Sequence, residues 1–146
     1  MQAIADVRRF PGSKRHPQFS QDALSASLAG DGIAYRWLPA LGCRRRPRRD
    51  SPNTAWRNAS FRGYADHLDS EEFASGLHEL LALGGESRTA IMCAEALWWR
   101  CHRALIADVL YARGIEVVHI LDAQDCVTHR YTAPARIIDG RLTYAG

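Results

Sequence analysis

The sequence predicts an α/β fold: a mostly parallel sheet with helices on both faces and a small C-terminal hairpin. Short apolar runs such as Ala3-Ile4-Ala5-Asp6-Val7 and Thr89-Ala90-Ile91-Met92-Cys93 end at or beside polar groups, as buried parallel strands do. Between them lie segments whose leucines recur at helical spacing. Near the end, Asp139-Gly140 separates two short apolar runs, a two-residue hairpin signal.

Taken in order, the first strand is Ala3 to Val7, broken by Phe10-Pro11-Gly12-Ser13. Ser20 can cap a helix over Gln21 to Ala29, with Leu24 and Leu28 on one face and Gly30 and Gly32 as stop signals. Ile33 to Leu38 alternates like a strand. From Pro39 to Phe61 no hydrophobic period is present, and the arginines from Arg44 to Arg49 followed by Asp50-Ser51-Pro52-Asn53 read as a long basic loop. Loops of this length are usually functional or disordered. Asp69 and Ser70, with Glu71 and Glu72 in the first turn, open a helix that carries Phe73, Leu77, Leu80 and Leu81 inward and closes at Gly84-Gly85. After the Thr89 to Cys93 strand comes a helix from Cys101 to Arg113, ended by Gly114. Glu116 to Leu121 is a further strand, and Ile137-Ile138 with Leu142-Thr143-Tyr144 forms the hairpin.

Length and composition narrow the class. A chain of 146 residues, 47% hydrophobic and 24% charged, suits one soluble globular domain rather than a disordered or fibrous protein. No apolar run approaches the roughly 20 residues that span a bilayer. The start lacks a secretory pattern, which makes the cytoplasm the expected compartment and no membrane partner is expected. The four cysteines, Cys43, Cys93, Cys101 and Cys126, are then expected to be reduced. Charge is uneven: residues 1–63 hold 12 Lys and Arg against 4 Asp and Glu, net +8, whereas residues 64–146 hold 7 against 12, net −5. That split suggests either a basic face for phosphate or another anion, or a solvated charged surface.

Ligands of open α/β sheets gather beyond the carboxyl ends of the strands, where helix N-termini and loops converge. Two predicted strands end in reactive groups, at Asp6-Val7-Arg8-Arg9 and at Cys93-Ala94-Glu95. Asp6, Arg8, Cys93 and Glu95 could therefore share one rim if those strands are neighbours.

The segments ADVRRFPGSKRHPQF (5–19), LPALGCRRRPR (38–48), NASFRGYADHL (58–68), CAEALWWRCHRALIADVL (93–110) and HRYTAPARIIDGRLTY (129–144) resemble the family called domain of unknown function 488. Its signature here is a D-V-R-x-x-P-x-S segment near the start, then C-A-E with a C-H-R triplet eight residues after the first cysteine. The resemblance implies a compact bacterial or archaeal α/β domain with no generally established activity. Members usually begin with a strand bearing I-G-H-S or I-G-H-T and a helix before the D-V-R strand. Here Met1 stands five residues before Asp6, so a single domain of this type over 1–146 is expected, either shortened at its N-terminus or given a start placed too far downstream.

Three chemistries compete at the rim. Cys101, at a helix start beside Arg100, His102 and Arg103, has surroundings that favour a thiolate. Cys93 is the other candidate nucleophile, although the C-x6-R spacing from Cys93 to Arg100 is not the C-x5-R of the tyrosine phosphatase loop. Both cysteines could equally be inert core residues. Metal binding by Cys93, Glu95, Cys101 and His102 follows no finger spacing, and adjacent Cys101 and His102 on one helix would point about 100° apart, so no metal is assigned and no cofactor is indicated. Phosphate or nucleic-acid recognition could draw on Arg8, Arg9, Lys14, Arg15, Arg44 to Arg49, Arg57 and Arg62, with Trp37, Trp56, Phe61, Trp98 and Trp99 for stacking or for the core. Glu95 or His102 could carry protons, and Glu95 could instead pair with Arg8 or Arg103.

The expected function is an enzyme-like site for a phosphate-bearing substrate, a nucleotide or nucleic acid. Cys93, Glu95, His102 and Asp6 are its catalytic candidates, and Arg8, Arg9, Arg100, Cys101, Arg103 and Trp98 its binding residues. The rival is a non-enzymatic module that binds nucleic acid or protein through loop 44–49. The sequence indicates no oligomeric state.

Overall fold

In the computed structural model, which describes residues 1–146, the elements run β1 (Ala3–Asp6), α1 (Gln21–Gly30), β2 (Ala34–Trp37), α2 (Ala59–His67), α3 (Glu71–Glu86) and β3 (Thr89–Met92). They continue as α4 (Arg103–Ala112), β4 (Val118–Ile120), β5 (Cys126–Thr128), β6 (Arg136–Ile138) and β7 (Arg141–Thr143). The chain divides into two compact units, residues 1–43 with 70–94 and residues 44–69 with 95–146.

The first unit holds the parallel sheet, three strands in the order β2-β1-β3, with Asp6 level with Trp37 on one side and Met92 on the other. Ala3, Ala5 and Asp6 on β1 are fully buried, as suits a middle strand, and Ile4 is half-buried. Ser70 accepts the Phe73 N–H at 3.0 Å to start α3, and Phe73, Leu77 and Leu80 are buried as their spacing predicts. Leu81 is only partly buried. Gly84 and Gly85 do not close the helix, which runs on to Glu86 and ends where Ser87 N–H reaches the Leu83 carbonyl at 2.9 Å. Gly76 is needed for packing, because a Cβ there would lie 2.9 Å from the Leu41 side chain.

The second unit overturns two expectations. The Glu116 to Leu121 segment does form a strand, but β4 pairs antiparallel with β5 outside the parallel sheet. Its alternation explains why: Val118 is 46% and Ile120 60% exposed while His119 between them is buried, the pattern of a strand covered on one face. The Asp122 carboxylate accepts the Gln124 and Asp125 N–H groups, both at 2.8 Å, and makes the turn. The long basic loop is also shorter than expected, since Asn58 caps α2 by accepting from Ser60 and Phe61 N–H. The C-terminal hairpin is as expected: β6 and β7 pair across Asp139 and Gly140, both with positive φ, 52° and 75°. No helix is long and apolar enough to cross a membrane.

Candidate functional site

The structure brings β1 and β3 together as neighbours with their carboxyl ends level, so Asp6, Arg8 and the residue after β3, Cys93, lie at one end of the sheet in the first unit. Asp6 is fully buried and occupied. Arg8 donates to it from its backbone N–H at 3.1 Å, from Nε at 2.9 Å and from Nη2 at 2.7 Å, and the Tyr35 hydroxyl donates as well. Arg8 Nη1 goes to the Phe19 carbonyl at 2.8 Å. The hydrogen bond to Asp6 raises the Arg8 pKa further, and burial with the Asp6 contact raises that of Tyr35. This is the geometry of an arginine fixed by a carboxylate. Arg9 is partly exposed, its guanidinium 5.6 Å over the Phe10 ring. Gly42 lets the chain pass there, since a Cβ would meet the Arg9 Cα at 2.8 Å.

Glu95, Trp98, Arg100, Cys101, His102 and Arg103 belong to the second unit, where the chain enters α4. The helix starts at Arg103 rather than at Cys101. His102 stands at the N-cap without a side-chain cap bond, and the Cys101 sulfur takes that place by accepting the Arg103 N–H at 3.5 Å. Arg103 Nε donates to the same sulfur at 3.3 Å, and His102 Nδ1 lies 3.4 Å from it. Cys101 and His102 are buried. Arg103 Nη2 also donates to the main-chain carbonyl of exposed Glu95, whose carboxylate accepts the Leu97 N–H at 3.2 Å. Arg100 is exposed.

Sequence reasoning missed a buried polar network in this unit. Asp108, fully buried on α4, accepts from His129 Nε2 at 2.8 Å, Thr132 N–H at 3.0 Å, Thr132 Oγ1 at 2.5 Å and the Tyr144 hydroxyl at 2.8 Å. Its acceptor role makes His129 Nε2 a donor, and His129 Nδ1 lies 2.8 Å from His119 Nε2. His119 stacks on Trp98 with centroids 3.9 Å apart and planes 5° from parallel. Burial, then the positive charges of His129 and Arg103, lower the His119 pKa to about 4 against the pull of Asp108. A signal for this network was present, because Asp108 interrupts the apolar run Leu105-Ile106-Ala107 and Val109-Leu110.

Beside the network opens a cleft of about 720 Å³ lined by Trp56, Trp98, Trp99, Arg130, Tyr131 and Thr132 among others, with no carboxylate in its walls. Trp56 packs on Phe61 and Tyr144 at 4.9 and 5.7 Å. Its Nε1–H is buried without an acceptor, which costs about 1–3 kcal/mol.

The basic loop belongs to the same unit and is held in place. Asp66 on α2 accepts from Arg48 N–H at 2.8 Å, Ser51 Oγ at 2.5 Å and Asn53 Nδ2 at 2.7 Å. Burial works against the Asp66 carboxylate, but these bonds outweigh it and hold its pKa below the ordinary value. Arg44, Arg46, Arg48 and Arg49 are exposed. All four cysteines are free thiols.

A three-stranded parallel sheet, four α-helices and two antiparallel hairpins define an α/β protein. The family model described as Domain of unknown function DUF488 matches residues 1–110, and the chain belongs to that family. The match stops short of the resemblance read at 129–144. Neither a curated protein nor a solved structure was found to match the chain.

Proposed function

We propose that the chain carries an enzyme-like site for a phosphate-bearing substrate, a nucleotide or nucleic acid, centred on the entry to α4. Cys101 supplies a thiolate, Arg103 and Arg100 bind the anion, and His102 carries protons. Glu95 borders the site through its carbonyl contact with Arg103. The observation that carries this reading is the triple contact on the Cys101 sulfur: a helix N-terminal N–H at 3.5 Å, a guanidinium N–H at 3.3 Å and an imidazole nitrogen at 3.4 Å. The two N–H donors, from the Arg103 backbone and guanidinium, favour charged sulfur over the thiol. In this reading Asp6 positions Arg8 rather than moving protons, because its donors already occupy both oxygens. Cys93, Arg8 and Arg9 belong to the first unit and remain separate candidates there.

The test is alkylation located by peptide mass spectrometry. Iodoacetate is expected to modify Cys101 at least as fast as neutral iodoacetamide, with inorganic phosphate slowing both and Arg103→Gln abolishing the preference for the anion. Cys101 that reacts faster with iodoacetamide, regardless of phosphate, contradicts the reading.

A second reading is supported by the loop pinned to Asp66, which presents exposed arginines: a binding module for nucleic acid. Replacing Arg44, Arg46 and Arg49 by glutamine is then expected to weaken single-strand binding and to flatten its salt slope by about 0.7 per lost phosphate contact. Binding insensitive to salt and to these changes rules it out.

A further inference from the structure

We infer that the tryptophan-lined cleft of the second unit is a ring-binding subsite for a nucleoside monophosphate, an assignment that deepens the proposed function but does not need the thiol. The walls come from three separate stretches of chain: Trp56 before α2, Trp98 and Trp99 before α4, and residues 127–134 after β5 begins. Trp98 and Trp99 stand edge to face at 87°, so their rings present two faces at right angles rather than packing flat on each other. Trp99 is 52% exposed, so its ring is open to a ligand in the cleft.

Such aromatic walls suit either a flat heteroaromatic ring or a quaternary ammonium cation. The charges decide between them. A cage for a cation gains from a carboxylate, and none lines this cleft; Arg130 lines it instead and repels a cation. A flat ring joined to an anionic group satisfies both the tryptophans and the arginine. Volume agrees, since about 720 Å³ lies in the range of small-molecule sites.

The buried network makes the cleft rigid. Thr132, one of its walls, is tied to Asp108 by both its N–H and its hydroxyl, at 3.0 and 2.5 Å. Trp98 is held from behind by the stacked His119, which His129 and Asp108 hold in turn. A preformed slot loses less freedom on binding than one the ligand must order.

Calorimetric titration of the full chain with AMP, GMP, CMP, UMP, adenosine, inorganic phosphate and choline tests the assignment. At least one monophosphate is expected to saturate with Kd below about 1 mM. Its nucleoside should bind more weakly, and Trp99→Ala, an exposed change that circular dichroism can show to be folded, should weaken binding about 10-fold. Arg130→Gln should bring the monophosphate down to the affinity of its nucleoside. Absence of saturation by all four monophosphates overturns the inference, as does saturation by choline or an affinity unchanged in both variants. Because the readout is equilibrium binding and not sulfur reactivity, it fails or succeeds separately from the alkylation test.

Discussion

Replacing Asp108 by alanine and by asparagine separates what its charge contributes from what its shape contributes. Alanine leaves His129 Nε2, Thr132 N–H, Thr132 Oγ1 and the Tyr144 hydroxyl without their acceptor at the fully buried Asp108 position. The two hydroxyls can rotate toward other acceptors, but the Thr132 N–H cannot, and truncating a buried charged partner costs about 3–5 kcal/mol. Asparagine keeps Oδ1 for His129 and the Thr132 N–H, while its two amide hydrogens can donate to the two hydroxyl oxygens that formerly gave protons to Oδ2. Charge assistance is lost and the two hydroxyl hydrogens must turn to other acceptors, together about 1–2 kcal/mol. Urea unfolding at pH 7 should therefore place Asp108→Ala about 1–4 kcal/mol below Asp108→Asn. Equal losses in the two variants, or a loss under about 1 kcal/mol in alanine, would refute the claim that this carboxylate holds all four donors.

Three further outcomes follow from particular positions. His119 ionises near pH 4 in the fold but near 6.5 when unfolded, so the unfolded chain binds the extra proton between those values. Its share of stability, about 2–3 kcal/mol, is present above pH 6.5 and lost as pH falls to about 4; an imidazole resonance of His119 titrating near 6.5 by NMR would contradict this. Gly63→Ala should destabilise by about 3 kcal/mol or more, because the new Cβ would lie 2.0 Å from the Arg45 carbonyl oxygen, whereas Gly84→Ala and Gly85→Ala, open on α3, should each stabilise by about 0.5–1 kcal/mol in thermal melts. Asp66→Ala should release the basic loop and raise the proteolysis rate between Arg44 and Asn53; an unchanged cleavage pattern would show that the three hydrogen bonds to Asp66 do not hold it.

The parallel sheet was legible because β1 and β3 are apolar runs, and α3 because Ser70, two glutamates and a leucine stripe agree on one start and one face. Sequence patterns record burial, not pairing, so the Glu116 to Leu121 strand was legible but its antiparallel partner was not, and three-residue β5 was too short to show a period. The α2 start at Asn58 was hidden behind the arginine run, where charge obscures the cap. At the site, the residues of the Cys101 to Arg103 triplet could be named because they are adjacent in sequence. The Asp108, His129, His119 network could not be read the same way, since its members come from α4, β4 and the segment after β5, and only folding sets them 2.8 Å apart. The single clue was a carboxylate inside an apolar helix face.

The state of the Cys101 sulfur decides the account most directly. Ultraviolet thiolate absorbance of the folded chain, minus that of Cys101→Ser, should already be present at pH 7 and should disappear in Arg103→Gln at that pH. A difference spectrum that develops only near pH 8.5, where an unperturbed cysteine ionises, would leave the sulfur an inert thiol and remove the nucleophile from the proposed site.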